Sequence, residues 1–190
     1  DINLKDKSKS LQRIETGNNV SIYIHLPFCE RSCHYCGCNH IATKDYSKTL
    51  PYVKTLIKEM KLLQQDLGRK IEVSEVHLGG GTPNFLSVYE MTLMMDKLRD
   101  HFDINSDASI SIEINPATTK EEFAKALYSI GFNRISLGIQ DFNPKVQKMI
   151  NRPQTFEVTK KITDIIKENG ISAINYDLIY GLPGQNKQGL

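Results

Sequence analysis

Apolar and polar residues alternate along five short stretches of the chain, which is the pattern of β-strands with two different faces. In the first stretch Val20, Ile22, Ile24 and Leu26 are each separated by one residue of another kind. Since alternate residues of a strand face opposite sides of a sheet, each stretch has one apolar face and one polar face. The pattern predicts strands near residues 20–26, 73–79, 109–114, 134–140 and 173–180.

Longer segments between these strands have apolar residues at intervals of three and four, as in helices that bury one face. Val53, Leu56, Ile57 and Met60 show this spacing, and Gly68 follows as a stop signal. The pattern predicts helices near residues 47–67, 87–101, 119–130 and 155–169. The alternation of strands and helices favours an α/β fold with a parallel sheet.

The polar face of the strands distinguishes among the α/β folds. A parallel sheet with helices on both faces has nearly continuous apolar strands, whereas His77, Ser111 and Glu113 alternate here with apolar residues. A barrel with a polar, ligand-filled interior explains the pattern, so we expect a TIM-like barrel of parallel strands, about five of them in this chain. The alternatives are a doubly wound open sheet and an antiparallel sheet with one solvated face, in which the helices are hard to place.

Composition limits the class of protein without identifying it. The chain has 190 residues, a size typical of one domain, and its 39% hydrophobic and 24% charged residues are ordinary for a globular protein. The formal net charge is +2 and no segment gathers lysine and arginine, so nothing indicates nucleic-acid binding. Since no apolar run approaches the roughly 20 residues of a membrane span, and no signal peptide is recognisable, we expect a cytoplasmic protein.

All four cysteines lie in one segment, YIHLPFCERSCHYCGCN, at positions 29, 33, 36 and 38. In a reducing compartment such clustering is more typical of metal binding or redox chemistry than of disulfides. The segment follows the first strand, where barrel folds build active sites. Three thiolates can each bind one iron of a cubane cluster and leave the fourth iron open. The alternative is a closed zinc site completed by Cys38, His34 or His40, and spacing alone leaves the role of Cys38 open.

Other candidate residues follow the later strands. The segment LGGGTPNFL ends the second predicted strand, where glycines let a bound group approach the main chain. Single polar residues lie on or after later strands, and each alone would more often be a satisfied polar group or a buried ion pair. These residues are Glu113, Gln140, Asp177 and Arg152, the last with a planar fork that suits a carboxylate. His25 and His77 also face the polar side, where structural and substrate-facing roles are both open.

The C-x3-C-x2-C loop after a first barrel strand resembles the signature of the radical S-adenosylmethionine (radical SAM) superfamily. The resemblance implies an iron–sulfur oxidoreductase with a (β/α)6 barrel, in which Cys29, Cys33 and Cys36 bind a [4Fe–4S] cluster. The cofactor S-adenosyl-L-methionine chelates the open iron. Residues implied to contact the cofactor are Tyr23, Tyr35, Cys38, Gly80, Gly81, Thr82, Glu113, Gln140, Arg152 and Asp177.

The motifs taken together resemble the oxygen-independent coproporphyrinogen III oxidases, also called coproporphyrinogen dehydrogenases, of anaerobic haem and porphyrin biosynthesis. They are the cysteine segment, GGGTP, SIEINP, ISLGIQDFN, VQKMINR and YDLIYGLPGQ. The resemblance implies oxidative decarboxylation of two propionates of coproporphyrinogen III to vinyl groups, which gives protoporphyrinogen IX. It also implies an unidentified reductant and electron acceptor, and a second S-adenosylmethionine near Cys38, Gly81, Gln140 and Asp177.

A related family of haem chaperones shares most of these motifs and is the alternative, since its members bind haem and a partner without this turnover. They typically have phenylalanine at the position of Cys38, so this cysteine favours the oxidase. By the resemblance, residues 1–19 are an N-terminal extension and residues 20–190 a barrel domain truncated after its fifth strand, with the C-terminal domain absent. We therefore expect this fragment to be inactive by itself.

Overall fold

The computed structural model of the chain describes residues 11, 14 and 20–186. In chain order the strands are β1 (Val20–Leu26), β2 (Phe28–Cys29), β3 (Ile41–Ala42), β4 (Glu72–Gly80), β5 (Asp103–Ile114), β6 (Arg134–Gln140) and β7 (Ala173–Leu178). The helices are α1 (Thr49–Leu67), α2 (Val88–His101), α3 (Glu121–Ile130), α4 (Pro144–Met149) and α5 (Phe156–Glu168). Two short 3₁₀ turns cover Tyr46–Lys48 and Pro83–Phe85.

Five strands form one parallel sheet in the order β1-β4-β5-β6-β7, and β2 and β3 form a separate parallel pair. The spatial order of the large sheet follows the chain order throughout. A doubly wound sheet would reverse its order at a switch point, and none occurs among the described strands. The expected α/β fold with a partial parallel barrel is therefore confirmed, and the antiparallel alternative is wrong.

The apolar set of strand residues packs against the helices in one core. Its fully buried members include Leu78, Ile112, Ile135 and Leu137 on the strands and Met91, Leu98, Leu127 and Ile166 on the helices. The opposite face of the sheet is polar and includes His77, Glu113 and Ser136, which line cavities rather than the core. The helices thus cover one face of the sheet, and the other face is free to build a site.

The predicted first and last residues of β1 and β6 are both correct. Most other predicted elements begin and end within two residues of the observed ones. β5 begins six residues before the predicted start, because a register shift against β4 between Val73 and Glu75 interrupts the alternation there. α4 is absent from the prediction because its six residues are too few to show helical spacing. The predicted extension over residues 1–19 lies outside the described residues, apart from positions 11 and 14.

In the described part of the chain, no helix combines the length and apolar character that crossing a membrane requires.

A capping box begins α2 and joins it to α1. The Ser87 hydroxyl accepts a hydrogen bond from the Glu90 backbone N–H (3.2 Å), and the Glu90 carboxylate accepts one from the Ser87 N–H (2.8 Å). Glu90 also accepts a hydrogen bond from the Thr49 hydroxyl at the start of α1. The buried carboxylate therefore satisfies donors at the amino ends of two helices.

The Ser87→Ala variant should lower the free energy of unfolding by about 1 kcal/mol, because one backbone donor of α2 loses its partner. Denaturation with urea measures the change. Ser129→Ala is the matched control, since Ser129 is exposed near the end of α3 and bonds only to the carbonyl of its own helix. Its effect should stay within about 0.5 kcal/mol. Equal losses for the two variants would contradict the assigned cap.

Candidate functional site

A cavity of about 570 Å³ opens where the carboxyl ends of β4, β5 and β6 meet the cysteine segment. Of the thirteen residues assigned by the resemblance to the cluster or the cofactor, twelve line it: Cys29, Cys33, Tyr35, Cys36, Cys38, Gly80, Gly81, Thr82, Glu113, Gln140, Arg152 and Asp177. Tyr23 is the exception, and it lies further along the polar face on β1. The structure therefore brings the predicted residues together, while the role of each remains a prediction.

The cysteine segment is a loop closed at its base by the pairing of β2 with β3. All four cysteines are free thiols. Cys29 is half-buried with its Sγ 3.2 Å from Thr82 Oγ1, so the GGGTP segment contacts a predicted cluster ligand directly. Burial raises the pKa of the Cys29 thiol, and the Thr82 hydrogen bond partly offsets this increase. Burial also raises the pKa of Cys38, the most exposed of the four, and its hydrogen bond with Cys36 adds to the effect.

A turn after α4 holds the cysteine loop from the opposite side. The backbone N–H of His34 donates to the Ile150 carbonyl (3.0 Å), and the amide of Asn151 donates to the Ser32 carbonyl (2.8 Å). Asn151 has a φ of 56°, a left-handed conformation that asparagine tolerates better than most residues. These contacts were not predicted from the sequence. The asparagine in the INRP segment was the only feature that could have indicated them.

Arg152 connects this turn to the cavity. Its Nη2 donates to the Gly138 carbonyl (2.6 Å), and its Nη1 lies 3.8 Å from Cys33 Sγ. Its Nε is buried and has no hydrogen-bond partner among the described residues. A buried N–H without an acceptor is costly, and an acceptor oxygen on a bound molecule would satisfy it.

The glycine run seats the end of β4 against the cysteine loop. A methyl group at position 81 would lie 2.6 Å from the Pro27 carbonyl oxygen, and one at position 80 would lie 2.8 Å from the His25 ring. Gly80 also has a φ of 120°, which side-chain-bearing residues rarely adopt. The sequence suggested that these glycines leave room for a bound group, and the structure adds that they leave room for the cysteine loop.

Polar side chains continue across the inner face of the sheet from β1 to β7. Tyr23 stacks on His77, with ring centroids 5.8 Å apart and an interplanar angle of 23°. Burial and the neighbouring Glu113 carboxylate raise the pKa of Tyr23. Further along, the Ser136 hydroxyl donates to Asp177 Oδ2 (2.7 Å). The inner face thus has polar side chains from β1 to β7, as the alternation predicted.

The donor set suits an iron–sulfur cluster, because thiolates are the usual ligands of its iron atoms. Among the described residues, no three cysteine, histidine or acidic side chains converge closely enough to bind one metal ion. A cubane cluster makes no such demand, since each thiolate binds a different iron atom. Cys29, Cys33 and Cys36 all line the cavity of about 570 Å³.

Comparison with known proteins gives a consistent family. The sequence model described as the Radical SAM superfamily matches residues 23–190. Curated relatives named oxygen-independent coproporphyrinogen III oxidase include that of Pseudomonas aeruginosa, 42% identical over 90% of this chain and 38% of its own length. The relative of this name in Escherichia coli is 40% identical over 89% of this chain and 37% of its own length. The chain thus spans less than two fifths of these relatives.

Comparison with solved structures indicates the same family. The coproporphyrinogen III oxidase of Escherichia coli, described as a radical SAM enzyme, has a TM-score of 0.92 and 36% identity, over 99% of this chain and 43% of that one. A radical S-adenosylmethionine methyltransferase from Kitasatospora setae has a TM-score of 0.57 and 17% identity, over 91% of this chain and 33% of that one. At that identity the second likeness concerns the fold alone.

Proposed function

The chain belongs to the radical SAM superfamily, and from this we propose that it is the catalytic core of an oxygen-independent coproporphyrinogen III oxidase. One observation carries the proposal: relatives of that name are about 40% identical to this chain over about 90% of its length. The cavity supports it, because residues predicted from separate motifs line one space. Residues 20–190 would form the barrel domain of the longer protein.

The superfamily implies a [4Fe–4S] cluster and S-adenosylmethionine, and Cys29, Cys33 and Cys36 are the residues that would hold the cluster. When bound, these groups supply a carbon-centred radical by one-electron reductive cleavage of the sulfonium. Thr82 contacts Cys29 and can orient that thiolate. Arg152 can donate its unpaired Nε to an oxygen of a bound molecule, and it keeps a positive charge near Cys33.

The proposed reaction removes a hydrogen atom from the β-carbon of a propionate, after which CO₂ leaves and a vinyl group forms. One electron must pass to an acceptor for each propionate, so the protein needs both a reductant and an electron acceptor. Gln140 and Asp177 are the residues that the family resemblance assigns to a second S-adenosylmethionine, with Gly81 and Cys38. All four line the cavity.

The test is anaerobic turnover by the whole protein that contains this chain. The protein is reconstituted with iron and sulfide and mixed with dithionite, S-adenosylmethionine and coproporphyrinogen III. We expect protoporphyrinogen, CO₂ and methionine to form, and none of them in the absence of S-adenosylmethionine. The haem chaperone alternative predicts tight haem binding and no vinyl product, and that outcome would overturn the proposal.

A substitution at Cys38 tests cluster binding and turnover separately. The Cys38→Ser variant should keep a normal iron and sulfide content, because three other cysteines hold the cluster, and should form protoporphyrinogen at least about tenfold more slowly. Iron and sulfide assays, together with product formation, measure the two effects. If the cluster disappeared with this substitution, Cys38 would be a ligand and the assigned ligand set would be wrong.

A further inference from the structure

His77 occupies the centre of the polar inner face and has contacts on three sides. Its Nε2 lies 3.1 Å from Glu113 Oε1, and its Nδ1 lies 2.7 Å from Ser111 Oγ. Tyr23 stacks against the ring from the neighbouring strand β1. Both ring nitrogens and one ring face are therefore engaged, so the ring is held in one orientation.

The carboxylate sets the direction of the Nε2 contact, because it can only accept a hydrogen bond and the ring hydrogen must then be on Nε2. Ser111 Oγ lies 2.7 Å from His77 Nδ1 and 3.3 Å from the Val76 carbonyl oxygen, and its single hydrogen can be donated to either. When Ser111 donates to Nδ1, the ring hydrogen of neutral His77 is on Nε2 and points at Glu113. The imidazolium form also donates from Nε2. In either form the carboxylate receives an N–H donor.

The carboxylate held in this way faces the main cavity. Glu113 lines that cavity, and its side chain is 46% exposed, so it can reach a bound molecule while it contacts His77. The contact uses Oε1. Gly79 allows the arrangement, since a methyl group there would lie 3.2 Å from the same oxygen and 3.1 Å from the Tyr23 ring.

We propose that His77 is a positioning residue for Glu113, holding its carboxylate in place for the amino group of bound S-adenosylmethionine. The inference rests on the proposed function, in which Glu113 is one of the residues implied to contact this cofactor and its carboxylate would accept a hydrogen bond from the amino group. His77 restricts the rotation of a half-exposed carboxylate and so lowers the entropic cost of fixing it when the cofactor binds. The ring acts through Glu113 and does not touch the cofactor.

Two substitutions separate the contacts of the ring. An asparagine amide nitrogen lies close to the place of Nδ1, so His77→Asn keeps a polar group for Ser111 and loses the donor to Glu113. A glutamine amide nitrogen lies close to the place of Nε2, so His77→Gln keeps that donor. Equilibrium dialysis of the cluster-loaded whole protein measures the dissociation constant of S-adenosylmethionine and of an analogue without the amino group.

His77→Asn should weaken S-adenosylmethionine binding about three- to tenfold and leave the analogue within about twofold, because only the contact of the amino group depends on Glu113. His77→Gln should stay within about twofold for both ligands. In a Glu113→Gln background, His77→Asn should have no further effect, since the two residues act as one unit.

The outcomes distinguish the inference from the proposed function. If Glu113→Gln weakens S-adenosylmethionine selectively and His77→Asn does not, the positioning role of His77 is wrong and the proposed function stands. Equal weakening of both ligands by His77→Asn would indicate a general structural role and overturn the inference. If the cluster-loaded protein binds no S-adenosylmethionine, the proposed function fails and the inference fails with it.

Discussion

The Cys33→Ala variant, reconstituted anaerobically with iron and sulfide, is expected to bind no [4Fe–4S] cluster and to cleave no S-adenosylmethionine. A cubane with one open iron needs all three thiolates, and no other cysteine replaces Cys33 in the spacing of the motif. Iron and sulfide content, visible absorption and electron paramagnetic resonance of the reduced protein measure the loss. The activity should fall at least about a thousandfold, because radical formation depends on the cluster.

Cys38→Ala is the matched control, since it removes a thiol from the same loop and should leave the cluster content unchanged. If Cys33→Ala reconstituted as well as the parent protein, the assignment of Cys33 as a ligand would be wrong. If both variants lost the cluster equally, four cysteines rather than three would be required for it.

The Gly81→Ala variant is expected to lower the free energy of unfolding by about 1–3 kcal/mol and to impair cluster binding as well. The new methyl group would lie 2.6 Å from the Pro27 carbonyl oxygen and 2.9 Å from that of Phe28, and backbone atoms cannot rotate away as a side chain can. The β4 end and the cysteine loop must then separate. Urea denaturation of the cluster-free protein measures the stability, and iron content after reconstitution measures the effect on the site.

Gly37 provides the control for this substitution. It lies in the cysteine loop itself, yet no heavy atom of the described residues, apart from its two chain neighbours, lies within 4 Å of where its methyl group would be. Gly37→Ala should therefore change the unfolding free energy by no more than about 0.5 kcal/mol. Similar losses in the two variants would show that the close approach of Gly81 to Pro27 does not limit stability.

The fold was predictable where each strand has an uninterrupted apolar face. The alternation in β1 and β6 defined both ends of those strands, because buried and cavity-facing positions change with every residue. Prediction failed where local geometry breaks that period. The first half of β5 includes a register shift, and α4 is a single short helix capped by Asn143 and begun by Pro144. The cap and the proline were usable signals for α4, although such pairs also occur in ordinary turns.

The candidate site was predictable because its residues follow the ends of parallel strands, which meet at one edge of the sheet. The contacts that support these residues were not predictable from the sequence. Asn151 and His34 act through hydrogen bonds to backbone carbonyls of distant segments, and such contacts leave no periodic or spacing pattern. The alternation of residues in β4 places His77 on the polar face but does not indicate its role, because its partners depend on the register of β4 against β5.

The turn after α4 also sets the order in which the site can form during synthesis. The cysteine loop is made before the turn, and its contacts to Ile150 and Asn151 cannot form until more than a hundred further residues have been made. Until then the loop is held at its base by the pairing of β2 with β3 and, once residue 82 has been made, by the contact of Cys29 with Thr82. Throughout that interval the nascent loop lacks its support on the side of Arg152, and the cavity is complete only after this turn has been made.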